Sequence, residues 1–281
     1  MYGASGVGKD LREAERIPRP REAPEAATDR AAMVAGTAVG ARGWARLTQP
    51  LLRIPPVEAA MATTIEETGG HRRTYLPAAG HDWFLPLYDP FVKLVGGDRA
   101  RRALLEQAEM RPGQRVLDVG CGTGSLVVLI KRLRSDVDVV GLDPDPKALA
   151  RARQKAEREG ASIRLDRGFS DELPYPAASF DLVFSSLMFH HLPTEEKGAT
   201  LREIRRVLKP GGFLHLLDFA GRESGTQGLL TRLLHSHARL ADNDEYRIRA
   251  LMKEAGLADV QKVGQRSMLF ARLAYYRASA A

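Results

Sequence analysis

The sequence is short of cysteine, of long apolar runs and of charge blocks, and each shortage excludes something. Cys121 is the only cysteine in 281 residues, so no internal disulfide forms and no Cys-based zinc cluster can be assembled. No metal site is expected. No run of about twenty apolar residues occurs, which argues against a membrane span, and the first residues lack the basic-then-apolar order of a signal peptide. A cytoplasmic protein is the expectation. The formal net charge is +7, yet Lys and Arg are dispersed among Asp and Glu, without basic blocks alternating with aromatics. Nucleic acid is not an expected partner, and the length suits one domain with an appendage.

Residues 1–74 read as a disordered or dispensable extension. Arg, Glu, Ala and Pro dominate from Leu11 to Arg30, a composition with little apolar surface to offset the entropy of ordering. Gly3 to Lys9 (GASGVGK) has the spacing of a phosphate-binding loop. No strand can precede it, however, and Asp10 stands where a hydroxyl would reach magnesium, so a nucleotide site is not expected there. Met61 opens the segment MATTIEETGG and is expected to mark the true start, or the point before which residues are dispensable.

The domain proper is assigned to 75–281. Trp83, Phe84, Leu87, Tyr88, Phe91 and Val92 recur at roughly helical spacing, and Arg99 to Met110 carries Ala103, Leu104 and Ala108 among charges, which predicts two helices beside the core. Trp83 and Tyr88 pack there or help to close a pocket. The chain then turns on Val116 to Leu126, VLDVGCGTGSL. Arg115 to Val119 reads as a strand and Ser125 to Leu133 as a helix, so GCGTG is the strand-to-helix turn of a βαβ unit. Its glycines, Gly120, Gly122 and Gly124, follow G-x-G-x-G and not the dinucleotide pattern G-x-G-x-x-G. A second strand, Val137 to Leu142, ends in Asp143, where an acid can accept both ribose hydroxyls of an adenosine.

These residues resemble a family. VLDVGCGTG followed by VVGLDPD looks like the class I S-adenosylmethionine-dependent methyltransferases, and the likeness continues through Leu173 to Leu192 (LPYPAASFDLVFSSLMFHHL) and Leu201 to Asp218 (LREIRRVLKPGGFLHLLD). The resemblance implies an α/β fold: a Rossmann-like, seven-stranded, mostly parallel sheet with flanking helices and a C-terminal antiparallel hairpin, here at Val260–Val263 and Met268–Tyr276. It implies S-adenosyl-L-methionine as cofactor. Asp118 and the turn Gly120, Cys121, Gly122, Thr123 and Gly124 would lie against its methionine portion, Asp143 would hold the ribose, and Pro144 would touch the adenine. The family's acid after the third strand is replaced here by Phe169; Phe169 and Ser170 supply ring packing and backbone hydrogen bonds, with Asp171 as a substitute acid. Ser185 and Ser186, ending the fourth strand, would present carbonyls to the methionine amine.

His190 and His191 follow that strand where the family's acceptor pocket opens, and either can take a proton near neutral pH. They are the candidate catalytic residues, or else satisfied residues of a helix start. The 219–244 insert, with Leu229, Leu230, Leu233, Leu234 and Leu240 at helical spacing, reads as a lid. SSLM stands where amino-group nucleic-acid methylases carry a polar-Pro-Pro-aromatic motif. The reading is therefore methyl transfer to an oxygen, nitrogen or carbon of a small-molecule acceptor, closest to quinone-precursor and natural-product methylases. The alternative is a non-catalytic, cofactor-binding regulator.

Overall fold

The computed structural model describes residues 63–66, 72–75, 85–220, 244–267 and 272–280. The chain divides into two compact units, Met1–Arg53 and Ile54–Ala281, and every described residue belongs to the second. The 74/75 boundary read from composition falls inside that unit. Short strands β1 (Thr63–Glu66) and β2 (Arg72–Tyr75) pair antiparallel, Thr63 opposite Tyr75. Thr and Ile give these segments β propensity that the charged, Pro-rich stretch upstream conceals. Gly3 to Lys9, Met61 and Trp83 lie outside the described residues, as does the side chain of Tyr88.

Two helices follow as the spacing predicts, α1 (Leu85–Leu94) and α2 (Gly97–Glu106), separated by Gly96 in a left-handed conformation. The sheet comprises β3 (Arg115–Val119), β4 (Asp138–Asp143), β5 (Arg164–Arg167), β6 (Phe180–Ser186), β7 (Leu208–Phe219), β8 (Leu257–Ser267) and β9 (Arg272–Ala280). Its order is β5-β4-β3-β6-β7-β9-β8. The first five are parallel, and β9 runs antiparallel to both β7 and β8. The parallel connections are made by α3 (Ser125–Leu133), α4 (Pro146–Arg158) and α5 (Thr194–Val207), and α6 (Glu245–Glu254) leads into the hairpin. At the start of α4, Asp145 accepts a hydrogen bond from the Lys147 N–H, and Pro146 fills the first helical position, where its missing N–H costs nothing.

Strand alternation divides the core between two sheet faces. Val116, Leu182, Phe184 and Leu217 pack with Leu104 of α2 and Ile130 of α3. Leu117, Val183 and Leu216 pack with Ile204 of α5 and Met252 of α6. The Lys-Pro-Gly-Gly segment departs from expectation by lying within β7: Phe180 pairs Leu208, whereas Leu182 pairs Phe213, so Lys209–Gly212 bulge out between them. The closing hairpin is longer than expected, with Leu257 opposite Ala280. Its edge strand β8 carries Asp259, Gln261, Lys262 and Arg266, which hide the alternation. Residues 221–243 of the expected lid, its leucine stripe included, lie outside the described residues.

Candidate functional site

The chain order reverses between β4 and β6 on either side of β3, and a cleft forms beyond the carboxyl ends of these strands, where open α/β sheets bind ligands. It encloses about 1210 Å³, its solvent-open part included. The glycine turn forms one wall. Gly120 and Cys121 donate their N–H groups to the Leu142 carbonyl at 2.8 and 3.0 Å, fastening the turn to β4. Gly120 has φ +75°, and a Cβ on it would lie 2.2 Å from Met188 Cγ; only glycine permits this approach. Gly122, Cys121 and Thr123 also line the cleft. Gly124 does not. It opens α3 at φ +79°, and a Cβ there would meet Ala152 Cβ at 2.7 Å, so its smallness serves the packing of α3 on α4.

Two buried carboxylates frame the turn. Asp118 is 1% exposed, and its Oδ1 has no hydrogen-bond partner among the described residues. Burial pushes its carboxyl up to about 7; Arg101 opposes this and Asp143 adds to it. Asp143 accepts from the Gly122 N–H at 2.8 Å and the Asp145 N–H at 2.9 Å. Burial nevertheless raises it to about 6, against those two bonds. Beside it stand Pro144, Phe169, Ser170 and Asp171, so an acid lines the cleft two residues after Phe169. The Ser170 and Thr200 hydroxyls share a 2.8 Å hydrogen bond. Burial first, then the charges of Asp143 and Asp118, drives the Cys121 thiol well above its ordinary value, which keeps it protonated and apolar.

The facing wall takes Ser186, Leu187, Met188 and His191. Ser185, whose backbone carbonyl the resemblance puts near the methionine amine, is not among the residues of this wall. Alternation along β6 sends the Ser185 side chain to the other sheet face with Val183, where it is fully buried, while Ser186 stays with Phe184 and keeps a buried Oγ without a partner among the described residues. Leu187 adopts φ +58°, a strained conformation for a branched side chain, and redirects the chain into the 3₁₀ turn Phe189–His191. The two histidines have different surroundings. His190 is buried and outside the cleft wall, with Nδ1 2.7 Å from Asp218 Oδ1 and its backbone N–H donating to Asp218 Oδ2 at 3.0 Å. His191 is in the wall, its ring centroid 4.0 Å from that of His190.

Several site residues were not legible in the turn motif. Arg101 of α2 is 7% exposed and lines the cleft close enough to Asp118 to affect its charge. Asp89 of α1 accepts from Thr123 Oγ1 at 2.6 Å, Ser125 Oγ at 3.1 Å and Lys155 Nζ at 2.7 Å. Burial would raise Asp89, but the hydrogen bonds from Lys155, Thr123 and Ser125 together hold it below the usual carboxylate range. Lys155 is held below its own range by burial, with Asp89 opposing. A lone acid among aromatics in LPLYDPF and a lone arginine on an apolar stripe were the available signals.

The family described as a methyltransferase domain matches residues 116–212. A demethylmenaquinone methyltransferase from Deinococcus radiodurans is 41% identical over 155 residues, covering 54% of this chain and 64% of that protein. One from Thermus thermophilus is 37% identical over 151 residues, covering 53% and 68%. The chain thus spans slightly under two thirds of the first relative and slightly over two thirds of the second. The YcgJ protein from Bacillus subtilis superposes with a TM-score of 0.55 at 18% identity, over 64% of this chain and 97% of that one; this likeness concerns the fold alone. Sheet order, glycine turn and sequence identity converge, and the chain belongs to the class I S-adenosylmethionine-dependent methyltransferases.

Proposed function

We propose that this chain transfers the methyl group of S-adenosylmethionine to an oxygen, nitrogen or carbon of a small-molecule acceptor. The observation that carries the reading is the unpartnered, buried Asp118 Oδ1 in one cleft with the Arg101 guanidinium. Opposite charges so placed suit the zwitterionic amino-acid end of the cofactor, ammonium on Asp118 and carboxylate on Arg101. Asp143 keeps lone pairs for ribose hydroxyls beyond those used by Gly122 and Asp145. Pro144 and Phe169 offer apolar flanks to the adenine, and Ser170 and Asp171 offer polar groups at its edge. When bound, the cofactor supplies a sulfonium whose positive charge makes its methyl group electrophilic.

The remaining work is positioning, dehydration and, for a protic acceptor, removal of a proton. His191, in the cleft wall, takes that proton. The Asp218 carboxylate accepts hydrogen bonds, so His190 carries its hydrogen on Nδ1 and is held rigidly beneath His191. The relatives are named as enzymes, which leaves the non-catalytic alternative without support, and their names make a demethylated quinone precursor the first acceptor to assay. The test is incubation with isotope-labelled cofactor and a panel of quinone and polyketide acceptors. Labelled product with stoichiometric S-adenosylhomocysteine is expected; tight cofactor retention without S-adenosylhomocysteine across the panel would reject the reading.

A further inference from the structure

A second cavity opens on the sheet face beneath α2 and shares no lining residue with the cofactor cleft. It encloses about 760 Å³, its solvent-open part included, and its walls include Gln107, Arg111, Asp181, Lys209, His215 and Arg277. Gln107 caps the C-terminus of α2; His215 and Arg277 are cross-strand neighbours on β7 and β9.

Two buried polar atoms of these residues have no hydrogen-bond partner among the described residues, Gln107 Oε1 and His215 Nδ1. A folded chain normally satisfies such atoms, so an unsatisfied pair on two side chains that line one cavity points to an occupant. His215 is 2% exposed and stacks on Phe184 with ring centroids 5.4 Å apart. Burial first, and then the charge of Arg277, pushes its imidazole down to about 4. It is therefore neutral near pH 7, and one of its ring nitrogens carries a hydrogen to donate.

The charges point to the kind of occupant. Lys209 Nζ reaches both oxygens of Asp181 at 2.9 Å, so these two cancel. The Arg277 guanidinium lies 4.2 Å from the Phe213 ring centroid, and among the described residues no carboxylate pairs with it. Arg111 adds a second cation at the exposed rim, balanced in part by the exposed Glu109. What remains is a half-buried guanidinium that rests on Phe213 without a carboxylate among the described residues, a neutral imidazole N–H and an amide oxygen.

We propose that this cavity binds a small oxyanion, a carboxylate or phosphate, that also bears a hydroxyl or amino donor. The anion is held by Arg277 and the His215 Nδ1–H, and the donor bonds to Gln107 Oε1. Guanidinium–oxyanion contacts are the strong, directional term, and the amide oxygen selects ligands that carry a donor. The site stands independently of the methyl-transfer reading, since none of its residues is placed at the cofactor.

Isothermal titration of the full chain with inorganic phosphate, glycerol 3-phosphate and L-malate tests this. At least one hydroxyl-bearing probe should bind saturably and more tightly than phosphate. Arg277→Gln should weaken it by about tenfold or more, and Gln107→Leu should remove the advantage over phosphate. Affinity for S-adenosylhomocysteine should stay within about twofold in both variants, reporting an intact fold and cleft. Absence of saturable binding by all three probes would show that the cavity holds only water and overturn the proposal. Binding unchanged in both variants, or probe displaced by S-adenosylhomocysteine, would overturn it equally.

Discussion

Lys155 Nζ lies 2.7 Å from Asp89 Oδ2, and this bond joins α1 to α4 beside the glycine turn. The same carboxylate receives the Thr123 and Ser125 hydroxyls, both residues of the cleft wall, so one acid fixes the end of the turn that meets the cleft.

Replacing that acid should loosen the turn and release Thr123 and Ser125 of the cleft wall. Asp89→Asn is expected to cost about 1–2 kcal/mol of stability, as a partly exposed pair with several hydrogen bonds does, and to weaken S-adenosylhomocysteine binding several-fold. Asp89 sits below the ordinary carboxylate range, so its contribution is present above that range and is lost as pH falls through the folded value. Urea denaturation at neutral and acid pH should show the wild-type advantage over Asp89→Asn shrinking toward low pH. An advantage independent of pH would contradict this account.

Asp118 and Asp143 behave oppositely. Their folded values of about 7 and about 6 lie above the ordinary carboxylate range. The empty protein therefore holds protons that the unfolded chain has released, and the stability owed to these groups is full below the ordinary range and declines as pH rises through about 6 to 7. An ammonium seated on Asp118 draws its carboxyl down and expels a proton. Cofactor affinity should accordingly rise with pH by up to about tenfold per unit below neutrality and level off above it. Calorimetry in two buffers of different ionisation enthalpy measures the released proton directly. Asp118→Asn should bind weakly and lose the dependence near neutrality.

The glycine turn makes separable predictions at its two ends. In Gly120→Ala the new methyl collides with Met188 in the cleft, whereas in Gly124→Ala it collides with Ala152 of α4. Both place alanine at positive φ, which costs about 1–2 kcal/mol. The first should abolish measurable cofactor binding with a modest loss of stability. The second, which wedges two helices apart, should lose stability by about 2–4 kcal/mol and weaken binding less. Thermal unfolding paired with cofactor titration of both proteins distinguishes them, and identical profiles would contradict the assignment of Gly124 to helix packing.

The sequence disclosed what is local and concealed what is brought from a distance. The strand, turn and Asp143 lie within a single βαβ unit, so spacing alone placed them. Ser185 and Ser186 differ by one step of strand alternation, and the choice follows from register: Asp118 pairs Phe184, so the residue sharing its face is Ser186. Asp89 and Arg101 come from helices preceding the motif, and their partners become neighbours only on folding. Arg101 could have been noticed from its position between Ala100 and Leu104 on a buried stripe. Asp218 stood within a quoted motif as the end of a strand; its bond to His190, 28 residues earlier, emerges only when β6 and β7 pair in parallel.

That bond yields the sharpest test of the catalytic half of the site. If His191 removes a proton from the acceptor, His191→Ala should lower kcat by about 10²-fold or more, with S-adenosylhomocysteine affinity unchanged, because His191 is not among the residues proposed to hold the cofactor. Asp218→Asn should also act on kcat rather than on the cofactor, since it removes the charge holding His190 against His191. Its effect should be smaller, about tenfold, because the histidine that meets the acceptor remains. The pH–rate profile separates positioning from proton transfer. Wild type should show an ascending limb as His191 loses its proton, Asp218→Asn should shift that limb to lower pH as the stabilising carboxylate charge disappears, and His191→Ala should lack the limb altogether. An unshifted limb in Asp218→Asn would reduce Asp218 to a structural partner of His190, and full activity in His191→Ala would remove the histidines from the chemistry.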